Sequence, residues 1–149
     1  MKIVTLLILL LIVVPGISQS LPIDFETSVV TADFVDFDGG AATVLANPQP
    51  NGINTSATVA QIVRDGGQVW AGSKIELAAN LDFTTLNAIT MKVFTTAPVG
   101  AIVKLKLEGA GSTERDAPTS VSGEWETLTW DFTAEPANFN SLVFMFDYG

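Results

Sequence analysis

The stretch that most constrains the fold is 89–108, ITMKVFTTAPVGAIVKLKLE, in which two alternating runs flank a turn containing Pro98 and Gly100. Successive side chains of a β-strand point to opposite faces. In the second run the apolar residues therefore face a core, and Lys104, Lys106 and Glu108 face solvent. The pattern predicts a β-hairpin with one buried face.

Further strands are predicted along the chain between clusters of turn-forming residues. The predicted positions are two or three short strands within 27–48, then 55–64, 68–77 with a break near Gly72, one within 109–123, 124–132 and 141–148. The last run is almost continuously apolar, which indicates a buried central strand. Since no long stripe of helical period occurs, eight to ten short strands indicate an all-β antiparallel sandwich.

Residues 1–20 are predicted to be a signal peptide rather than part of the fold. Lys2 supplies a short positive region, residues 3–14 carry no charge, and 15–20 are small or polar. An apolar run of about 12 residues is short of the roughly 20 that span a bilayer, so a retained anchor is the weaker interpretation. We therefore expect a secreted bacterial protein with one domain over 21–149.

Composition excludes several classes of site. The chain contains no Cys and no His, which rules out disulfides, thiolate chemistry, a Ser/His/Asp triad and His-ligated zinc within it. Sixteen acidic residues against seven basic ones give a net charge of −9. A nucleic-acid partner is not expected, because phosphate binding needs a cationic surface.

Short motifs follow one another in a recognisable order. They are DFE at 24–26, NPxxxGINxS at 47–56, WAG at 70–72, MKV at 91–93, LKLE at 105–108 and GEWETLTWDF at 123–132. In this order they resemble the jelly-roll carbohydrate-binding modules of the galactose-binding-like superfamily, to which module families 4, 9 and 22 belong. Such modules are attached to secreted bacterial polysaccharide-degrading enzymes, and the resemblance extends over 21–149.

The resemblance implies two antiparallel sheets that bind sugar on a concave face or at a loop rim, commonly with a structural calcium. Its implied partners are a polysaccharide and a covalently linked catalytic domain, with no membrane contact after leader cleavage. Members of the superfamily usually continue into a glycine-rich turn and a final strand with adjacent Asp residues. We therefore expect that residues 21–149 lack the last strand, which would leave an unpaired sheet edge.

Aromatic side chains are the first candidates for sugar binding, because their faces stack on pyranose rings. Trp70 is the best of them, since it follows the Gly66–Gly67 turn in a region with few bulky residues; a Trp at the edge of the core is the alternative. Trp130 is in phase with core residues, and the resemblance implies that Trp125 closes one end of the barrel. Tyr148 is a further possibility.

The polar candidates are the row Lys104, Lys106 and Glu108, with Lys92 expected on the neighbouring strand and Arg64 before the turn at 65–67. Long cationic and carboxylate side chains in this arrangement bracket sugar hydroxyls or a uronate carboxylate. The alternative is ordinary cross-strand Lys–Glu pairing at a surface, which contributes well under about 1 kcal/mol.

Two segments are candidates for calcium, which needs clustered oxygen ligands. The 36–39 segment, DFDG, lacks the rest of an EF-hand loop. The resemblance points instead to Glu26, with oxygens from the 51–56 loop including Asn54 and an Asp of the absent strand, so that calcium would bind weakly here.

These features favour a non-catalytic module that targets a secreted enzyme to a β-glycan or uronate polymer. The alternative is a structural or adhesive sandwich of a cell-surface protein without sugar specificity. A catalytic domain is the least favoured class, because Glu124, Glu126 and Asp131 do not form the E-x-D-x-x-E pattern of β-sandwich glycanases. Whether Trp70 shares one concave surface with the Lys/Glu row distinguishes the first two.

Overall fold

The computed structural model describes residues 21–27, 29–84 and 87–148, so the predicted signal peptide lies outside the described residues. Within these ranges the chain forms nine β-strands and one 3₁₀ turn at Thr31–Asp33. The strands are β1 (Phe34–Phe37), β2 (Gly40–Ala46), β3 (Thr58–Arg64), β4 (Gly72–Glu76), β5 (Ala88–Phe94), β6 (Ile102–Gly109), β7 (Ser112–Pro118), β8 (Trp125–Asp131) and β9 (Phe139–Phe146). No helix among the described residues has the length and apolar character needed to cross a membrane.

The strands form one wide sheet and two narrow ribbons, with every pairing antiparallel. The five-stranded sheet has the order β1-β4-β9-β6-β7, and the ribbons are β2–β3 and β5–β8. The all-β sandwich predicted from the sequence is thus confirmed, and it is consistent with a jelly roll. The loss of a final strand stays a prediction of the resemblance.

The core lies between the five-stranded sheet and the two ribbons. Alternation assigns each strand's apolar set to this interior: Leu105 and Leu107 of β6 and Ile75 of β4 are at most 1% exposed. Across the core, Trp130 of β8 is equally buried, and its indole Nε1 donates a hydrogen bond of 3.1 Å to the carbonyl of Val103. The side chain therefore ties the β5–β8 ribbon to the wide sheet.

β9 lies between β4 and β6, as its continuous apolar character predicted. Leu142 and Phe144 face the core, while Val143 and Met145 point to the opposite side of the sheet and are nevertheless 4% exposed. Burial on both sides explains why this strand tolerates no polar alternation. Other side chains must therefore cover Val143 and Met145 on the outer side of the sheet.

The predicted hairpin at 89–108 is wrong in its pairing, although both of its strands exist. β5 pairs with β8, whereas β6 pairs with β7 and β9. The turn around Pro98 and Gly100 carries the chain from one layer of the sandwich to the other. Alternation of apolar and polar residues identifies a strand and its buried face, but it does not predict which other strand pairs with it.

Candidate functional site

A groove of about 440 Å³ crosses the outer face of the five-stranded sheet. The strand register places Val35, Lys74, Val143, Lys106 and Glu114 in one row, from β1 through β4, β9 and β6 to β7. Trp70, Tyr148 and Asp38 line the same groove at its rim. Here "the groove" denotes this row together with those rim residues and Glu108, Phe37 and Met145.

The floor of the groove is apolar and tightly packed. Val143 and Met145 of the central strand form its middle, and both are buried. At Gly72 a Cβ would lie 2.0 Å from the carbonyl oxygen of Phe144, so only glycine allows β4 to approach β9 at this point. The sequence predicted a strand over 68–77 that breaks near Gly72, and in the structure β4 begins at Gly72.

Trp70 lies at the rim and is 46% exposed. Its indole Nε1 donates a 2.8 Å hydrogen bond to the Asp38 carboxylate, which fixes the edge of the ring. The loop before β4 is in turn bound to the turn between β1 and β2: the Gln68 amide donates to the Asp38 carbonyl at 3.0 Å. The Trp70 ring is therefore held at the groove by its own hydrogen bond to Asp38 and by the backbone hydrogen bond between the two loops.

The Asp38–Gly39 turn has left-handed backbone at both residues, with φ of 54° and 103°. Asp is one of the few residues other than glycine that adopts this region readily. Gly67 packs against it so closely that a Cβ would lie 2.0 Å from the Asp38 carbonyl oxygen. These constraints hold Asp38 and Trp70 in one arrangement.

Lys104 lies under the groove surface rather than in it. It is 6% exposed, and its ammonium contacts the Glu114 carboxylate at 3.0 Å and the Asp116 carboxylate at 2.8 Å. The Tyr148 ring covers it, with 4.4 Å between Nζ and the ring centroid. Burial lowers the pKa of Lys104, but the hydrogen bonds that its ammonium donates to the Asp116 and Glu114 carboxylates, together with their negative charge, outweigh burial and raise the pKa above its ordinary value. This residue supports the site from below.

Lys106 and Glu108 both reach the groove and are about one-third exposed. The Lys106 ammonium donates to the Glu108 carboxylate at 2.6 Å. Glu108 also lies 3.9 Å from the ammonium of Lys74, which contacts Glu76 at 3.5 Å. The predicted polar row is therefore a network of ion pairs spread over β4 and β6.

Arg64 ties the rim together without lining the groove. Its guanidinium donates to the Val69 carbonyl at 3.3 Å and to the Asp147 carbonyl at 2.5 Å, and it lies 3.8 Å from the Asp147 carboxylate. Those contacts join the loop that carries Trp70 to the segment that carries Tyr148. Arg64 thus positions the two aromatic residues.

The structure does not bring Lys92 to this site. Lys92 is exposed on β5, in the ribbon opposite the five-stranded sheet, where it pairs with Thr127 of β8. Its expected neighbourhood to β6 depended on the hairpin pairing, which is wrong. Lys92 is therefore separate from the other predicted ligand residues.

The remaining tryptophans take structural positions. Trp130 is in the core, as its phase predicted. Trp125 is partly buried, packs on Phe94 with 5.6 Å between ring centroids, and donates from Nε1 to the Gln49 carbonyl at 2.7 Å. That bond fastens the 47–57 loop to the start of β8, which is consistent with the predicted role in closing one end.

The calcium prediction concerned Glu26 and Asn54, which meet at the same loop. Glu26 Oε1 accepts hydrogen bonds from the backbone amides of Ala57 at 2.7 Å and Thr58 at 3.3 Å. Asn54 Oδ1 accepts hydrogen bonds from the backbone amide and the hydroxyl of Ser56. No cluster of three or more Asp or Glu side chains suited to a metal occurs within the described ranges. Calcium takes six to eight oxygen ligands, so these two residues alone do not make a site, and calcium stays a prediction of the resemblance.

A larger depression, of about 500 Å³, lies between β7 and β8. Arg115 occupies it, donating to the Asp131 carbonyl at 3.1 Å and pairing with Glu135 at 2.8 Å. Its single tryptophan, Trp130, is 1% exposed and offers no ring face. The groove is therefore the better candidate despite its smaller volume, because it combines an exposed aromatic with polar side chains.

Sequence reasoning missed Lys74 and Glu114, and it considered Asp38 for calcium only, not as a groove residue that binds Trp70. Lys74 alternates with the buried Ile75 in the predicted strand at 68–77, so its outward direction was available from the sequence. Its nearness to Lys106 was not, because β9 lies between the two strands and no local pattern encodes that order.

The geometry thus places Trp70, Lys106 and Glu108 on one groove, with Lys104 and Arg64 supporting it and Lys92 elsewhere. A search against protein-family models and a search of curated proteins found no match to this chain.

Proposed function

We propose that this protein is a non-catalytic carbohydrate-binding module whose ligand is a polysaccharide held in the groove. The observation that carries the proposal is that exposed Trp70 shares the groove with Lys106 and Glu108. A binding module needs this arrangement, whereas a structural sandwich without sugar specificity does not.

The physical chemistry of sugars supports this choice. A pyranose ring has an apolar face that packs on an aromatic ring, and hydroxyls that need directional donors and acceptors. With the Trp70 indole N–H already bonded to Asp38, the side chain offers ring surface, while the Lys106 ammonium and the Glu108 carboxylate offer donors and acceptors. The groove volume also falls within the usual range of ligand sites.

In this proposal the module is secreted and covalently joined to a polysaccharide-degrading enzyme. Binding would then raise the local substrate concentration at the catalytic partner without new chemistry. The module itself would orient and hold the polymer. Calcium, if bound, would stabilise the loop at 51–56 and take no part in sugar contact.

Affinity electrophoresis through gels containing laminarin, mixed-linkage glucan, xylan or alginate tests the proposal. The protein should be retarded by at least one polymer, and Trp70→Ala should reduce the affinity about tenfold or more, the loss expected for a central aromatic contact. Lys106→Ala should weaken retention by a smaller factor. Lys92→Ala is the matched control, since Lys92 is exposed on the opposite ribbon.

The competing structural or adhesive function also has an observation in its favour. Every cation of the groove and its support is paired with a carboxylate, which is the ordinary way to stabilise a sheet surface. If the folded protein is not retarded by any of the polymers, the structural function replaces the binding function. Equal retention of the Trp70→Ala variant would instead move the binding site away from the groove.

A further inference from the structure

The cations of the groove are already neutralised by the protein's own carboxylates. Lys106 contacts Glu108 at 2.6 Å, and Lys74 lies 3.5 Å from Glu76 and 3.9 Å from the same Glu108. Glu108 therefore lies between the two ammonium groups that point into the groove. An incoming anion would have to displace it to gain either contact.

The supporting cations are no more accessible. Lys104 is held between Glu114 and Asp116 beneath the Tyr148 ring, with 7% of its side chain exposed. Arg64 is committed to two carbonyls and to Asp147. Among the six Lys and Arg residues that the structure describes, Lys92 and no other lacks a carboxylate within 4 Å, and it lies on the other layer.

Carboxylates outnumber ammonium groups along the groove. Its lining includes Asp38, Glu108 and Glu114 against Lys74 and Lys106, in a chain of net charge −9. Glu114 is about half exposed, so part of this negative charge faces the ligand. A polyanion would meet repulsion here, and like-charge contacts are a common means of rejecting an unwanted ligand.

We infer that the groove selects uncharged glycans and excludes acidic ones such as uronate polymers, and that Glu108 is the residue chiefly responsible for the exclusion. This inference rests on the proposed carbohydrate-binding function and narrows its substrate class. Neutral sugars lose nothing by the ion pairing, because a lysine ammonium has three N–H donors and each carboxylate has further lone pairs. Hydroxyl groups both donate and accept, so they bind to such a network without breaking it.

The test compares neutral gels, laminarin and mixed-linkage glucan, with acidic gels, alginate and polygalacturonate. We expect the protein to be retarded in neutral gels and not in acidic ones. Retention in neutral gels should also change little between about 0.05 and 0.5 M salt, since screening affects charge contacts and not stacking. Glu108→Gln frees Lys106 and leaves Lys74 paired with Glu76 alone. It should therefore raise alginate affinity about fivefold, as one or two exposed charge contacts would.

Glu124→Gln is the matched control, because it makes the same change of net charge at an exposed position before β8, outside the groove. It should produce no alginate binding. Stronger retention of the unaltered protein by acidic gels than by neutral ones would overturn the inference and leave the carbohydrate-binding function standing. No gain for Glu108→Gln over Glu124→Gln would overturn the assignment to Glu108. Absence of retention in every gel would refute the proposed function itself.

Discussion

Two solvent-facing surfaces of this sandwich have the same alternating sequence pattern and different properties. On the five-stranded sheet, outward-pointing Lys104, Val143 and Met145 are almost fully buried. On the outer side of the β5–β8 ribbon, Lys92 and Thr129 are exposed, and Lys92 has no carboxylate within 4 Å among the described residues. One surface is a preorganised groove, and the other is an ordinary solvated face.

The difference follows from the number of neighbouring strands. A central strand of a wide sheet has side chains on both flanks, which shield one another and concentrate charge. A strand in a two-stranded ribbon has one paired flank, so its outward side chains remain in water. Sheet width therefore decides which row of charges becomes a structured site.

Gly72→Ala should break the wide sheet and give the largest effect. The new Cβ would lie 2.0 Å from the Phe144 carbonyl oxygen, forcing β4 away from β9. We expect a loss of about 3 kcal/mol in unfolding free energy, at the upper end for overpacking, measured by urea denaturation. Gly111→Ala, with no atom within 4 Å of its Cβ position, should change stability by less than about 0.5 kcal/mol. Equal losses for the two variants would contradict the close approach.

Lys104→Met against Lys92→Met compares the two surfaces directly. Removing the Lys104 ammonium leaves Glu114 and Asp116 adjacent without a cation. We expect a loss of about 1.5 kcal/mol, below the 3–5 kcal/mol for a fully buried pair because both carboxylates are half exposed. Lys92→Met should change stability by less than about 0.5 kcal/mol. Thermal and urea unfolding of both variants measure the difference, and similar values would remove the distinction between the surfaces.

The sequence predicted what depends on local pattern and failed where partners are distant. Strand positions, the buried faces of β6 and β8, and the central place of β9 follow from periodicity and apolar content. The exposure of Trp70 followed from its small neighbours. The pairing of β5 with β8 was not predicted, because the turn around Pro98 and Gly100 reads the same whether it joins adjacent strands or crosses between layers. Lys92 was misplaced for that reason alone.

The two surfaces should also differ in how their stability depends on pH, which is the smallest of the expected effects. Burial lowers the pKa of Lys104, whereas the carboxylates of Asp116 and Glu114 raise it by more. The pKa therefore lies above its ordinary value of 10.5. The stabilisation of the folded state by the Lys104 ammonium is present in full below pH 10.5, and it is lost as the pH rises through the folded-state pKa of Lys104. The pKa of Glu126 on β8 is raised by burial but lowered, on balance, from 4.5 by hydrogen bonds from the Ser120 hydroxyl and the backbone amides of Ser120 and Val121. That contribution is present above 4.5 and is lost as pH falls.

Urea unfolding across a pH series should therefore show that Lys104→Met flattens the alkaline limb alone and Glu126→Gln the acid limb alone. Glu126 is half-buried, and the carboxylates that pair with Lys104 are half exposed, so solvent screens both interactions and each change should stay below about 1 kcal/mol. Part of the acid limb should persist in Glu126→Gln, because hydrogen bonds from the Thr133 hydroxyl and amide also lower the pKa of Asp131. If Lys104→Met left the alkaline limb unchanged, the ion pairs of Lys104 would stabilise the fold no more than the solvated charge of Lys92 does. That result would contradict the conclusion that the groove is electrostatically preorganised.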